Sequence, residues 1–338
     1  MTEAETFLAT LRRDGCVREA QATLKPLSGG VSSDIYLVED GRERFVVKRA
    51  LARLRVKDDW FANVGRNATE QAYLQCVSSF LPGAVPQIRS ANPHAGYFCM
   101  EYLGDGFANW KQLLLSGVCE TEHAAQAGKI LGVIHRKTAG EAEVARNFDT
   151  TMDFCQLRIA PYLLTTGARH PGLQEFFDHE AARLKAARET LVHGDFSPKN
   201  ILVSGSRMVL LDCEVAWYGD PAFDVAFLLN HFFLKSLHHA PKAFGLEKLI
   251  AAFWHAYAEA RSNGNVRQVE LRLVPLILML LLARVDGKSP AEYLTVPKQQ
   301  FIRTFVHAHL PSPPHNLARL SEIWFARVFD STLTLSPT

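Results

Sequence analysis

Three oxygen-bearing side chains in this 338-residue chain stand at a spacing that suits phosphoryl transfer. In Val192-His193-Gly194-Asp195-Phe196-Ser197-Pro198-Lys199-Asn200 an acid is followed five residues later by an amide, and Leu210-Leu211-Asp212-Cys213-Glu214 brings a second acid. Asp195 can hold a substrate hydroxyl in line with a γ-phosphate and take its proton. Asn200 and Asp212 can supply hard oxygen ligands for the magnesium that neutralises a triphosphate, with Glu214 as a further metal candidate. The elements that must position them are short. Ile201-Leu202-Val203 and Met208-Val209-Leu210-Leu211 are apolar runs around Ser204-Gly205-Ser206, the pattern of a hairpin that would return Asp212 toward Asn200. The plain alternative is a loop and hairpin in which Asp195 and Asn200 only satisfy turn backbone.

Upstream features arrive in a matching order. A helix is expected over Glu5–Arg13, where Phe7, Leu8 and Leu11 fall at helical spacing before Asp14-Gly15. Strands are expected at Ala22–Lys25, Asp34–Glu39 and Arg44–Lys48. The segment Leu27 to Ser33 joins the first two. There Gly29 and Gly30 can lay backbone N–H groups over phosphate oxygens, and the Ser32 and Ser33 hydroxyls can add donors. Taken alone, Gly-Gly with serine is also generic turn chemistry. Lys48 ends the run Phe45-Val46-Val47-Lys48 and can reach phosphates, although a lone strand lysine is as readily a solvated one. Glu70, inside a helical stretch from Asn63 to Phe80, is the candidate to hold Lys48; pairing with Arg66 one turn away is the alternative.

The spacing of Asp195 and Asn200 resembles the catalytic loop of protein kinases, with Gly194 where that loop carries arginine. Phe45-Val46-Val47-Lys48 resembles the kinase Val-Ala-Ile-Lys strand. The strings His-Gly-Asp-Phe-Ser-Pro-Lys-Asn-Ile-Leu and Leu-Asp-Cys-Glu resemble the aminoglycoside phosphotransferase and choline kinase group of small-molecule kinases. The run Lys48 to Val56, then Trp60, Arg66 and Glu70, with Leu157–Leu163 and Arg169-His170-Pro171, is similar to methylthioribose-kinase-like members. This resemblance implies an α+β, bilobal, protein-kinase-like fold, with a small antiparallel-sheet lobe (1–103) and a larger, mainly helical lobe (104–338). It implies ATP and Mg2+ as cofactors. It also implies an adenine-binding hinge at the backbone of Glu101-Tyr102-Leu103, with Met100 behind the base. Val85–Ile88 and Tyr97–Glu101 read as the last strands of the small lobe, and Gly104-Asp105-Gly106 as the boundary.

Helices are expected over Glu122–Lys137, Phe244–Tyr257, Val269–Arg284 and Ser321–Phe329. Asp224, at the start of another helix after Pro221, is expected to anchor the catalytic-loop backbone, with His135 and His193 structural. Pro221 follows only nine positions after Asp212, so no long activation segment remains to dock a protein. The acceptor is therefore expected to be a small-molecule hydroxyl, a sugar-like metabolite, an amino alcohol or an antibiotic, near Arg284, Asp286 and Trp217. From Val215 onward acids are fewer than lysines and arginines, which counts against a polycationic acceptor. The alternative from another class is a kinase-fold nucleotide-binding or regulatory protein without catalysis.

Composition bounds the rest. Lys and Arg total 37 against 35 Asp and Glu, so nothing calls for nucleic acid or an anionic membrane. The acidic N-terminus is no secretory signal, and the longest apolar stretch, Leu273 to Ala283, is about half a membrane span. The six cysteines are scattered, as free thiols of a cytoplasmic protein would be.

Overall fold

The structure is a computed structural model, described here over residues 3–27, 33–50, 65–240, 243–262 and 266–330. Gly29, Gly30 and Ser32 of the expected phosphate loop, and all of Leu51 through Trp60, lie outside these residues. The chain forms two compact units, the first comprising Met1–Phe107 with Val209–Glu214, the second the remainder.

The first unit carries α1 (Glu3–Arg13), β1 (Thr23–Pro26), β2 (Ser33–Asp40), β3 (Glu43–Ala50), α2 (Arg66–Phe80), β4 (Ile88–Asn92) and β5 (Tyr97–Glu101). The strands form one antiparallel sheet in the order β1-β2-β3-β5-β4. Alternation along β3 sends Phe45 and Val47 into a core with Phe7, Leu11, Val38 and Tyr97, which leaves Val46 and Lys48 for the other face. On α2, buried Arg66, Glu70, Tyr73, Leu74 and Val77 recur at helical spacing. The fourth strand begins at Ile88 rather than Val85. Pro86 has no N–H to give a ladder, and Ala84 and Val85 are buried in the turns that follow α2.

The second unit begins with β6 (Ala108–Asn109), α3 (Trp110–Leu115) and α4 (Thr121–Lys137). The short helices α5 (Ala142–Asn147) and α6 (Thr151–Phe154) lead into a π-helix over Cys155–Leu164, followed by α7 (Thr165–Arg169) and α8 (Gln174–Ala186). Next come β7 (Thr190–Val192), a 3-10 turn at Pro198–Asn200, β8 (Ile201–Ser204) and β9 (Arg207–Leu210), within which the chain passes into the first unit. β10 (Trp217–Gly219) pairs antiparallel with β7. The helices α9 (Ala222–His239), α10 (Phe244–Arg261), α11 (Val266–Asp286), α12 (Val296–His309) and α13 (Leu317–Asp330) complete it. Gly128 and Gly132 let α4 lie against α10, since a Cβ on either would fall within 2.7 Å of a carbonyl oxygen of Phe253 or Tyr257. Among the described residues no helix is long and apolar enough to cross a membrane.

Candidate active site

In the first unit the buried Lys48 ammonium lies 2.5 Å from Glu70 Oε2 and 2.9 Å from Asp212 Oδ1. Arg66 instead pairs with Glu214, at 3.2 Å, so the two candidate partners of Glu70 are separated by geometry. Carboxylate oxygens of Glu70, Asp212 and Glu214 all lie within 4.8 Å of one another. Burial alone would favour neutral Lys48, but Asp212, Glu70 and Glu214 outweigh it and hold the ammonium well above its usual range. Burial and the other two carboxylates push Glu70 up to about 7, against the pull of Lys48. Three carboxylates thus face two cations, and this oxygen-rich surplus of negative charge fits a hard divalent cation. Asp212 holds its position at φ 60°, a left-handed conformation that a non-glycine residue takes at a cost of about 1–3 kcal/mol.

The expected hinge lies on β5 and just beyond it. Met100 is buried, and the Glu101 N–H donates to Gln87 O at 2.8 Å. Leu103 lies past the end of the strand and is half-buried. Ser33 opens β2.

In the second unit the loop expected to be catalytic, at His193, Gly194 and Asp195, is held through its own main chain. The N–H groups of His193 and Gly194 donate to the two oxygens of buried Asp224, at 2.7 and 3.0 Å, and the Asp195 N–H donates to His193 Nδ1 at 3.2 Å. His135 Nε2 stands 3.5 Å from Asp224 Oδ2 and its Nδ1 meets the Tyr257 hydroxyl; burial keeps this imidazole neutral despite the neighbouring carboxylate. Gly194 has φ 76°, and a Cβ there would fall 2.4 Å from Val215 O. An arginine at this position would meet both obstacles. The Asp195 carboxylate is gripped by Arg158 at 3.1 Å and Lys199 at 2.9 Å. Asn200 donates its Nδ2 to Asp195 O at 3.0 Å, which leaves its carbonyl oxygen as the acceptor end of the amide.

Asp195 also forms part of the wall of a cavity of about 150 Å3. Arg284 lines it, as do Phe227, His231 and Lys235, three residues on one face of α9 at the same helical spacing that brings Asp224 to the catalytic loop. Two residues expected near the acceptor lie elsewhere. Trp217 is fully buried on β10, stacked on Phe154 at 3.5 Å, so it packs the core. Asp286 is taken by Arg303 through two bonds of 2.8 and 2.7 Å and by His170 at 3.0 Å. Burial works against its charge, but these partners hold its carboxyl below the usual range.

Arg158 and Lys199 lie within motifs the sequence offers, Leu157–Leu163 and Val192–Asn200, without a role of their own there, and Lys235 is absent from the residues the sequence singles out. Arg158 sits in the π-helix, a form often found at functional sites. For Lys235 a signal was present: a lysine in the otherwise apolar run Phe232-Phe233-Leu234 needs a reason to be there.

Residues 23–267 match the profile of the phosphotransferase enzyme family. The chain belongs to that family. This phosphotransferase-family enzyme is 24% identical over 262 residues to the methylthioribose kinase of Pectobacterium atrosepticum, covering 69% of this chain and 65% of that one, just under two thirds of its length. It is 23% identical over 309 residues to the methylthioribose kinase of Bacillus cereus strain G9842, covering 82% of this chain and 78% of that one. The choline kinase of Cryptosporidium parvum matches with a TM-score of 0.54 at 14% identity, over 98% of this chain and 99% of the other. That likeness shows the fold, the α+β arrangement of protein-kinase-like enzymes.

Proposed function

We propose that this enzyme moves the γ-phosphate of ATP to a hydroxyl of a small molecule in the cytoplasm. The observation that carries the reading is the clamped loop, in which Asp224 fixes two main-chain N–H groups and the next residue, Asp195, borders a small cavity. Asp195 accepts a hydrogen bond from the acceptor hydroxyl and takes its proton as the new O–P bond forms. Arg158 and Lys199 hold that carboxylate in one orientation. Because phosphoryl transfer has a loose transition state, such positioning supplies much of the acceleration. Lys48, oriented by Glu70, neutralises phosphate oxygens, and the loop at Gly29, Gly30, Ser32 and Ser33 covers them. Backbone from Glu101 to Leu103 reads adenine beside Met100. Asn200, Asp212 and Glu214 would hold magnesium, which when bound offsets the charge of the triphosphate.

The test is Asp195→Asn, assayed by ADP release and by the thermal shift that ATP with magnesium produces. Turnover should fall by a factor of about 1,000 or more while the nucleotide-dependent shift persists. Retained turnover would remove Asp195 from its role. A wild-type protein that binds ATP but never releases ADP would favour a kinase-fold binding protein instead.

A further inference from the structure

The charge of the cavity beside Asp195 is out of keeping with a cationic or neutral alcohol. Lys111 on α3, Lys199 on the catalytic loop, Lys235 on α9 and Arg284 on α11 line it, against the carboxylates of Asp195 and Glu292. Asp195 is already paired with Arg158 and Lys199, and Glu292 is exposed. Lys235 is only 1% exposed. Among the described residues its ammonium makes no ion pair and no hydrogen bond, and lies 5.6 Å from the centre of the Tyr293 ring. The Arg284 Nε and the Tyr293 hydroxyl are also buried without a hydrogen-bond partner among these residues. A buried ammonium without a partner opposes folding, so its presence in an apolar helix calls for a counter-charge that the described residues do not supply.

We infer that this cavity takes an acceptor with a negative charge of its own, a carboxylate or phosphate held by Lys235, Arg284 and Lys111 while a hydroxyl of the same molecule meets Asp195. The inference rests on the kinase reading and narrows its substrate class. In the transfer, the acceptor O–H bond breaks and its proton passes to Asp195. The oxygen bonds to the γ-phosphorus, whose bond to the β-phosphate oxygen breaks, and ADP leaves. A cavity of about 150 Å3 suits a compact acceptor, since one of that size elsewhere takes a benzene-sized molecule. An amino alcohol would bring its cation against lysine and arginine side chains.

Burial, together with Lys111 and Arg284, pulls Lys235 down to about 7. His231, buried among the same cations and Lys199, is held well below its usual value and stays neutral. The hydroxyl of Tyr293, pushed up to about 12 by burial, keeps its proton and can donate. An anion should therefore bind with uptake of a proton at Lys235. Its affinity is fully present below pH 7 and lost as pH rises above it, about tenfold from pH 6 to pH 8.

The experiment titrates the full chain by calorimetry with four small hydroxyl compounds: glycerate, glycerol 3-phosphate, glycerol and choline. Glycerate or glycerol 3-phosphate, or both, should bind, and the better of the two distinguishes a carboxylate from a phosphate source. Glycerol and choline should bind at least about tenfold more weakly. Lys235→Gln should weaken the anion by about 30-fold or more, and Lys235→Arg should largely restore it. Glycerate, whose charge is constant from pH 6 to pH 8, should show the tenfold fall in the parent and none in Lys235→Gln. Lys235→Met should melt at or above the parent temperature, which separates lost binding from lost folding. Equal binding of choline or glycerol, or unchanged binding in Lys235→Gln, overturns the inference. ATP with magnesium is titrated separately. If it binds and only a neutral or cationic alcohol is phosphorylated, the anion inference fails and the kinase reading stands. If the anions bind but ATP does not, the kinase reading and the acceptor role both fall.

Discussion

Replacing Asp224 by asparagine is an almost isosteric change with a large expected effect, because two buried main-chain donors share this one carboxylate. His193 N–H points to Oδ2 and Gly194 N–H to Oδ1, at 2.7 and 3.0 Å, with Asp224 fully buried. Asparagine has one carbonyl oxygen, so its NH2 must face one of the two N–H groups, donor against donor. The lost bond was charge-assisted and contributed about 1.5–3 kcal/mol; the stranded N–H costs about 1–3 kcal/mol more. The sum, roughly 2.5–6 kcal/mol, is large beside the roughly 5–15 kcal/mol typical of a domain but leaves room for a folded variant. Urea unfolding measures the stability loss, and amide exchange at residues 193 and 194 locates it. With the loop released, ADP production should fall about 100-fold, since misplacing a reacting group by about 1 Å has that effect. If Asp224→Asn unfolds within about 1 kcal/mol of the parent, keeps its amide protection and turns over at the parental rate, the clamp does not position Asp195.

Gly194→Ala should lower turnover about 100-fold while preserving the thermal shift given by ATP. The left-handed backbone disfavours a Cβ by about 1–2 kcal/mol, and the atom would press on Val215 O at 2.4 Å. Steady-state kinetics beside the thermal shift checks this, and normal turnover would contradict it. Lys48→Met leaves Glu70 and Asp212 without their shared ammonium, so urea unfolding should register a loss of about 3 kcal/mol and calorimetry a fall in ATP affinity of about 10-fold or more.

Much of the fold was legible because local rules carried it. The alternation through Phe45 and Val47, the helical spacing on α4 and the break at Asp14-Gly15 each depend on near neighbours alone. The fourth strand begins three residues later than its sequence suggests, because apolar Val85 looks like strand but lies buried in the turns before Pro86. Helices α8 and α12 were not foreseen; charged and polar residues interrupt the apolar positions of both. Within the site, Asp224's hold on the loop was readable from its place at a helix start. The order of the motifs also favoured Lys48 over Arg66 as the partner of Glu70; what it did not show is that Arg66 turns to Glu214 instead. Lys235 escaped for a similar reason: a sequence shows a lysine among phenylalanines but not that Lys111 and Arg284, 124 residues upstream and 49 downstream, line the same hollow.

The short return of Val209–Glu214 to the first unit has a practical outcome for anyone dissecting this enzyme. A gene fragment ending at residue 107 would lack the backbone bond from Leu210 N to Ala84 O, and its Lys48 and Arg66 would be stripped of Asp212 and Glu214. The amino-terminal third is therefore not separable by a single cut, and a stand-alone version of this unit would need that six-residue strap grafted back onto it.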